Sequence, residues 1–120
     1  MYLGKETQSY KLISPRETHE LVQKDCNVVL LDVRTPAEFN NELGHVPRSI
    51  LIPLHELEQK VNELERHKGQ TIIAVCRSGN RSGVAAELLG RRGFTVMNML
   101  GGMIQWNREG LPVARDEEKV

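Results

Sequence analysis

The sequence predicts an α/β protein, with a mostly parallel β-sheet covered by helices on both faces. Three observations carry that expectation. Val28-Val29-Leu30-Leu31 and Thr71-Ile72-Ile73-Ala74-Val75 are short, continuous apolar runs, the pattern of strands buried on both faces. Along the chain such runs alternate with segments whose apolar residues recur at helical spacing, as βαβ units require. Two helix starts are also marked by capping boxes with proline at the first helical position: Ser14-Pro15-Arg16-Glu17 and Thr35-Pro36-Ala37-Glu38.

Taken in order, residues 1–9 read as a polar lead-in and Tyr10-Lys11-Leu12-Ile13 as a short edge strand. A helix from the first capping box runs to Lys24 and buries Leu21 and Val22; Cys26 follows, with no charge cluster around it, and reads as a passive thiol. The Val28 strand ends in Asp32-Val33-Arg34, which delivers polar groups to the carboxyl end of the sheet. A short helix through Phe39, a turn at Gly44-His45-Val46-Pro47 and a strand at Ile50-Leu51-Ile52 come next. Leu57, Val61 and Leu64 mark one helical face, with Gly69 expected as the residue that ends the helix. After the Thr71 strand, Ser82 to Arg92 carries Val84, Ala85, Leu88 and Leu89 on one stripe, and Arg91-Arg92-Gly93 suits a helix end. Phe94 to Leu100 supplies a last strand, broken by Gly101-Gly102 before a helix over Met103 to Glu109 that carries Trp106. Residues 115–120 form a charged tail expected to be disordered.

With 120 residues, the chain is long enough for one domain with its own core. The formal net charge is +0, so no long-range field recruits nucleic acid or an anionic membrane. No apolar run approaches a membrane span, and no signal-peptide pattern follows Met1. The two cysteines, Cys26 and Cys76, are far apart and form no CxxC pair, so a reduced, cytoplasmic thiol protein is expected.

The chemistry concentrates at Cys76-Arg77-Ser78-Gly79-Asn80-Arg81. This stretch lies where a strand ends and a helix begins, the place where open α/β sheets bind ligands. The bend gathers backbone N–H groups, the helix start adds its partial positive charge, and Arg77 and Arg81 add full charges. All three favour thiolate over thiol, which marks Cys76 as a nucleophile set in an anion cradle. Inert core thiols are the commoner case, but core filler has no use for two arginines and a glycine beside it.

Other constellations carry less. Asp32 and Glu38 read as carboxylates that orient arginines near the loop, with Arg34 between them in sequence, rather than as an acid–base pair. His19, His45, His55 and His67 are scattered without zinc-ligand spacing, so no metal site is expected. His45 reads as a turn residue bonded to backbone, and Trp106 and Phe94 as core. Gly101-Gly102 follows no dinucleotide fingerprint.

Three motifs together resemble the rhodanese-type sulfurtransferases. Leu31-Asp32-Val33-Arg34-Thr35-Pro36-Ala37-Glu38-Phe39, with Gly44-His45-Val46-Pro47 and Ile52-Pro53-Leu54, is similar to that family's first signature. Cys76 through Ser82 resembles its active-site loop, and Gly101 through Trp106 with Gly110-Leu111-Pro112-Val113 its closing motif. The family usually has Gly-Ala at Arg48-Ser49, so Arg48 is expected to add a positive group near the site mouth.

The resemblance implies a rhodanese-like fold, a five-stranded parallel sheet flanked by helices on both faces, over residues 10–114. It implies a sulfurtransferase in which Cys76 takes a sulfane sulfur from thiosulfate or a related persulfide donor, becomes a persulfide, and passes the sulfur to cyanide, a thiol or a protein acceptor. Arg77, Ser78, Gly79, Asn80 and Arg81 would bind the donor, with Asp32, Arg34 and Glu38 behind them, and with no metal or organic cofactor. Two alternatives stand beside it: a cysteine-dependent phosphatase or arsenate reductase on the same fold, and a sulfur-carrier or interaction module. The C-x4-R spacing, with Ser82 where a C-x5-R loop has arginine, argues against the phosphatase.

Overall fold

The β-branched apolar runs form five strands, all parallel, in the order β1-β5-β4-β2-β3. The computed structural model describes residues 9–25 and 27–116; residues 1–8 of the polar lead-in, Cys26 and residues 117–120 of the tail lie outside them. The strands are β1 (Lys11–Ile13), β2 (Val28–Asp32), β3 (Ile50–Leu51), β4 (Thr71–Val75) and β5 (Thr95–Met99). The helices are α1 (Pro15–Lys24), α2 (Pro36–Phe39), α3 (Leu54–Lys60), α4 (Asn80–Arg91) and α5 (Gly102–Arg108). None is long and apolar enough to cross a membrane.

Both faces of the sheet are buried, which is why its central strands are apolar without alternation. Val29, Leu31, Ile72 and Ala74 pack with Leu57, Val61, Leu64, Ala85 and Leu89 from α3, α4 and the segment between α3 and β4 on one side. Leu30, Ile73, Val75 and Met99 pack with Met103 and Trp106 on the other, where Leu21 and Val22 of α1 close the layer. Both capping boxes form, with Ser14 and Thr35 each accepting the backbone N–H three residues on. Each such cap stabilises its helix by about 1 kcal/mol.

Several expectations are corrected in detail. Helix α4 starts at Asn80 rather than Ser82, because Gly79 bends at φ 109° and serves as its N-cap. Its buried stripe is Ser82, Ala85, Ala86 and Leu89, and Val84 faces solvent. After Lys60 the helical path tightens into a 3₁₀ segment, Val61–His67, and Gly69 is absent from the positive-φ glycines. The start of the charged tail is held rather than disordered: Arg115 Nε donates to the Asn41 carbonyl at 2.8 Å, and the Asp116 N–H to Asn40 Oδ1 at 2.7 Å. Arg48, at φ 72°, precedes β3, whose first residue Ile50 pairs with Leu31 near the carboxyl end of β2. It lines a cleft of about 350 Å³ with His19, Val46 and Trp106, and no residue of the Cys76 loop lines that cleft.

Candidate active site

Strand order decides where a ligand can sit. The chain leaves β2 toward β3 and leaves β4 toward β5, in opposite directions, so a crevice opens at the carboxyl ends of β2 and β4. Cys76 follows β4 directly, and Asp32-Val33-Arg34 closes β2 beside it, with the Val33 N–H donating to the Val75 carbonyl at 3.0 Å. A cleft of about 240 Å³ lined by Val33, Thr35, Pro53, Leu54, His55 and Arg81 adjoins it.

Cys76 is only 1% exposed, so the thiol lies at the floor of its loop. The Gly79 N–H donates to Sγ at 3.0 Å, and Ser82 Oγ lies 3.3 Å from Sγ. The loop's shape comes from what holds its carbonyls. The first turn of α5 supplies two donors: the Met103 N–H to the Cys76 carbonyl at 2.8 Å and the Ile104 N–H to the Arg77 carbonyl at 3.1 Å. The Gly79 carbonyl accepts from the Gly83 N–H and from Asn98 Nδ2, each at 3.2 Å. In a trans peptide the N–H points away from the carbonyl, so these anchors turn the N–H groups of Arg77, Ser78 and Asn80 the opposite way. Backbone N–H groups free of those anchors are donors that an anion can use.

Gly102 lets α5 approach that closely. A Cβ there would lie 2.4 Å from both the carbonyl carbon and oxygen of Arg77. In the sequence Gly101-Gly102 signals only the break of a strand; the contact with the loop depends on how α5 folds back, which no local pattern encodes.

Four of the five predicted charged site residues form two pairs, and Arg77 stands apart from both. Arg81 and Glu38 form a bidentate pair, with Nη1 to Oε1 and Nη2 to Oε2 both 2.8 Å. The Arg81 guanidinium, followed by the capping bonds from Thr35, holds the Glu38 carboxyl down at about 2 despite partial desolvation. Asp32 and Arg34 are fully buried and pair with each other, Nη2 to Oδ2 at 2.8 Å, while Arg34 Nη2 also donates to the Gly44 carbonyl at 2.7 Å. That pair ties the end of β2 to the 44–47 turn and makes no hydrogen bond to the Cys76 loop. Arg77, Ser78 and Asn80 are exposed at the rim. His45 stacks on Phe39 with ring centroids 3.6 Å apart and bonds the Phe39 carbonyl through Nδ1 at 2.7 Å, a turn-bracing role as expected.

One site neighbour has no signal in the sequence. Asn98 on β5 reaches both Ser82 and Gly79, but a lone asparagine within an apolar strand does not stand out. Ser82 is visible only as part of the loop motif.

A parallel α/β sheet with a cysteine-floored loop at its switch point is the architecture of the rhodanese class. The Rhodanese-like domain family matches residues 14–109, and the chain belongs to that family. Among its relatives is the Sulfurtransferase of Allochromatium vinosum, 37% identical over 76% of this chain and 82% of that protein. Another is the Putative sulfur carrier protein YrkF of Bacillus subtilis, 37% identical over 78% of this chain but 49% of that one. The chain likewise spans 61% of a 33%-identical protein of Synechocystis sp.. A rhodanese-related protein from Thermoplasma volcanium has a solved structure that superposes with a TM-score of 0.80, at 33% identity, over 89% of this chain and all of that one.

Proposed function

We propose that residues 10–114 form a sulfurtransferase domain that carries sulfane sulfur as a Cys76 persulfide, with thiosulfate or a related persulfide as donor. The observation that carries this reading is the Cys76 thiol at the floor of a loop whose Gly79 N–H reaches Sγ at 3.0 Å. The thiolate attacks the outer sulfur of thiosulfate. A bond forms between Sγ and that sulfur as the S–S bond of the donor breaks, and sulfite leaves with the electron pair. The negative charge then sits on the outer sulfur, facing the N–H groups of Arg77, Ser78 and Asn80, in the manner of an oxyanion hole. A thiol, a protein thiol or cyanide attacks that sulfur and regenerates the thiolate. The scheme needs no metal or organic cofactor. We assign it to the reducing cytoplasm, which keeps Cys76 reduced and supplies thiol acceptors.

The bidentate engagement of Arg81 by Glu38 supports sulfur over phosphate chemistry. A phosphatase clamps its substrate with the loop arginine, and here both outer nitrogens of Arg81 are already bonded to a carboxylate. The test is intact-mass measurement after incubation with thiosulfate. One added sulfur atom, lost on treatment with a reducing thiol and absent in Cys76→Ser, is expected. Cys76→Ser should also abolish thiosulfate:cyanide transfer, and Cys26→Ser should retain most of it. Cys76-dependent hydrolysis of aryl phosphates without sulfur loading would overturn the reading.

A further inference from the structure

We propose that Asn98 is a positioning residue for the sulfur-transfer centre: it holds the hydroxyl proton of Ser82, so that Ser82 faces Cys76 as an acceptor and not as a donor. Its consequence for sulfur transfer rests on the sulfurtransferase reading above; the hydrogen-bond direction itself does not.

Ser82 Oγ lies 2.6 Å from Asn98 Oδ1 and 3.3 Å from Cys76 Sγ, and a hydroxyl has one proton to give. The orientation of the Asn98 amide is set on its other side, where Nδ2 donates to the Gly79 carbonyl at 3.2 Å. Turned over, the amide would place its oxygen against that carbonyl, two acceptors in contact. With Nδ2 committed to Gly79, the atom facing Ser82 is Oδ1, which can only accept. The short contact therefore takes the Ser82 proton, and an oxygen lone pair is left facing sulfur. Both side chains are buried, Ser82 fully and Asn98 at 6% exposure, so water does not replace either partner freely.

This arrangement suits Cys76 when Sγ carries no charge. The thiol can donate its S–H to Ser82, and in the persulfide the charge has moved to the outer sulfur. It is unfavourable only to the thiolate, whose charge sits on Sγ beside the lone pair. Asn98 thus favours an uncharged Sγ, in the thiol or in the loaded persulfide, over the thiolate. The same amide also anchors the Gly79 carbonyl, and with it the direction of the Asn80 N–H.

The charged and titratable groups around Cys76 are Arg77 in the loop, Arg81 on α4 with Glu38 from α2, the Asp32–Arg34 pair at the end of β2, and His55 of α3 in the adjoining cleft. β5 and α5 contribute the neutral Asn98, Gly102 and Met103 at this point. None of these charges changes in the variants below.

The experiment is the pH profile of iodoacetamide alkylation at Cys76 in the wild type, Ser82→Ala, Asn98→Ala and the double variant. Ser82→Ala removes an acceptor from the thiol, so its profile should move to lower pH by about half a unit to one unit, the scale of one hydrogen bond. Asn98→Ala frees the hydroxyl to donate to the thiolate and should move the profile the same way. In the double variant the loss of Asn98 should add no further move to lower pH, since only its anchor on the Gly79 carbonyl is left to lose. A shift to higher pH in Ser82→Ala would mean that Ser82 donates to the thiolate, and the proposal would fail. No shift in Ser82→Ala, or a further move to lower pH when Asn98 is removed in the absence of Ser82, would overturn it equally. If Asn98→Ala does not fold, the sign of the Ser82→Ala shift still decides. Failure of the wild type to load sulfur from thiosulfate would count against the sulfurtransferase reading and leave this result standing.

Discussion

Arg81, the last residue of the Cys76 loop, grips Glu38 of α2 through two parallel hydrogen bonds of 2.8 Å across a sequence separation of 43. The pair ties the α4 start to the α2 helix, so the loop is braced from the β2 side as well as by α5.

A pH dependence of stability follows from this pair. The Glu38 carboxyl is held at about 2 in the folded protein against an ordinary 4.5. Its contribution is therefore fully present above about pH 4.5 and is lost as pH falls through about 2. With the two side chains 37% and 23% exposed, solvent screening limits it to about 1 kcal/mol. Glu38→Gln should lower stability by that amount at neutral pH and by progressively less on acidification. Denaturant titrations at a series of pH values check this, and a deficit that grows toward low pH would contradict the assignment.

Arg77 should act on the donor and not on the fold. It is exposed at the rim and has no ion-pair partner among the described residues. Arg77→Ala should weaken thiosulfate capture by roughly 1–3 kcal/mol, the scale of a hydrogen bond to a charged group, with melting temperature nearly unchanged. Steady-state kinetics beside a thermal melt separate the two effects. Arg81→Ala should show the opposite balance, losing stability through the Glu38 bond.

Gly102 and Gly69 make a matched comparison. Alanine at Gly102 would meet the Arg77 carbonyl at 2.4 Å from a backbone at φ 57°, so either the loop or α5 must shift. We expect a loss of roughly 1–3 kcal/mol from overpacking and loss of sulfur transfer together. Gly69 has open space around it and no positive φ, so Gly69→Ala should be neutral or stabilising by a few tenths of a kcal/mol. Urea unfolding of the two variants distinguishes a general intolerance of alanine from this specific contact.

Arg48 sits in the left-handed region at φ 72°, where a side chain is strained. Glycine adopts that conformation without a Cβ clash. Arg48→Gly should relieve about 1–2 kcal/mol of strain, offset in part by the greater freedom of glycine in the unfolded chain. A modest rise in melting temperature with unchanged sulfur loading is expected. A fall would show that Arg48 makes stabilising contacts in the cleft it lines.

Much of this protein is legible in its sequence because the chemistry involved is local. The apolar runs read as strands buried on both faces because they are only four or five residues long and rich in β-branched Val and Ile. The two capping boxes set the starts of α1 and α2 to the residue, since Ser14 and Thr35 satisfy N–H groups only three positions away. The Cys76 loop is legible too, because a strand, a bend and two arginines are contiguous in sequence. What lies beyond the sequence is everything that depends on a partner far along the chain. The bidentate choice of Glu38 by Arg81, the burial of Asp32 with Arg34, the close approach of Gly102 to Arg77 and the reach of Asn98 to Ser82 all depend on how the layers stack. Composition names the candidates for such contacts, but only the packed sheet decides which donor meets which acceptor. The direction of one buried serine proton is of that second kind, because it is set by an asparagine on β5, the strand that pairs with β4 beside the loop.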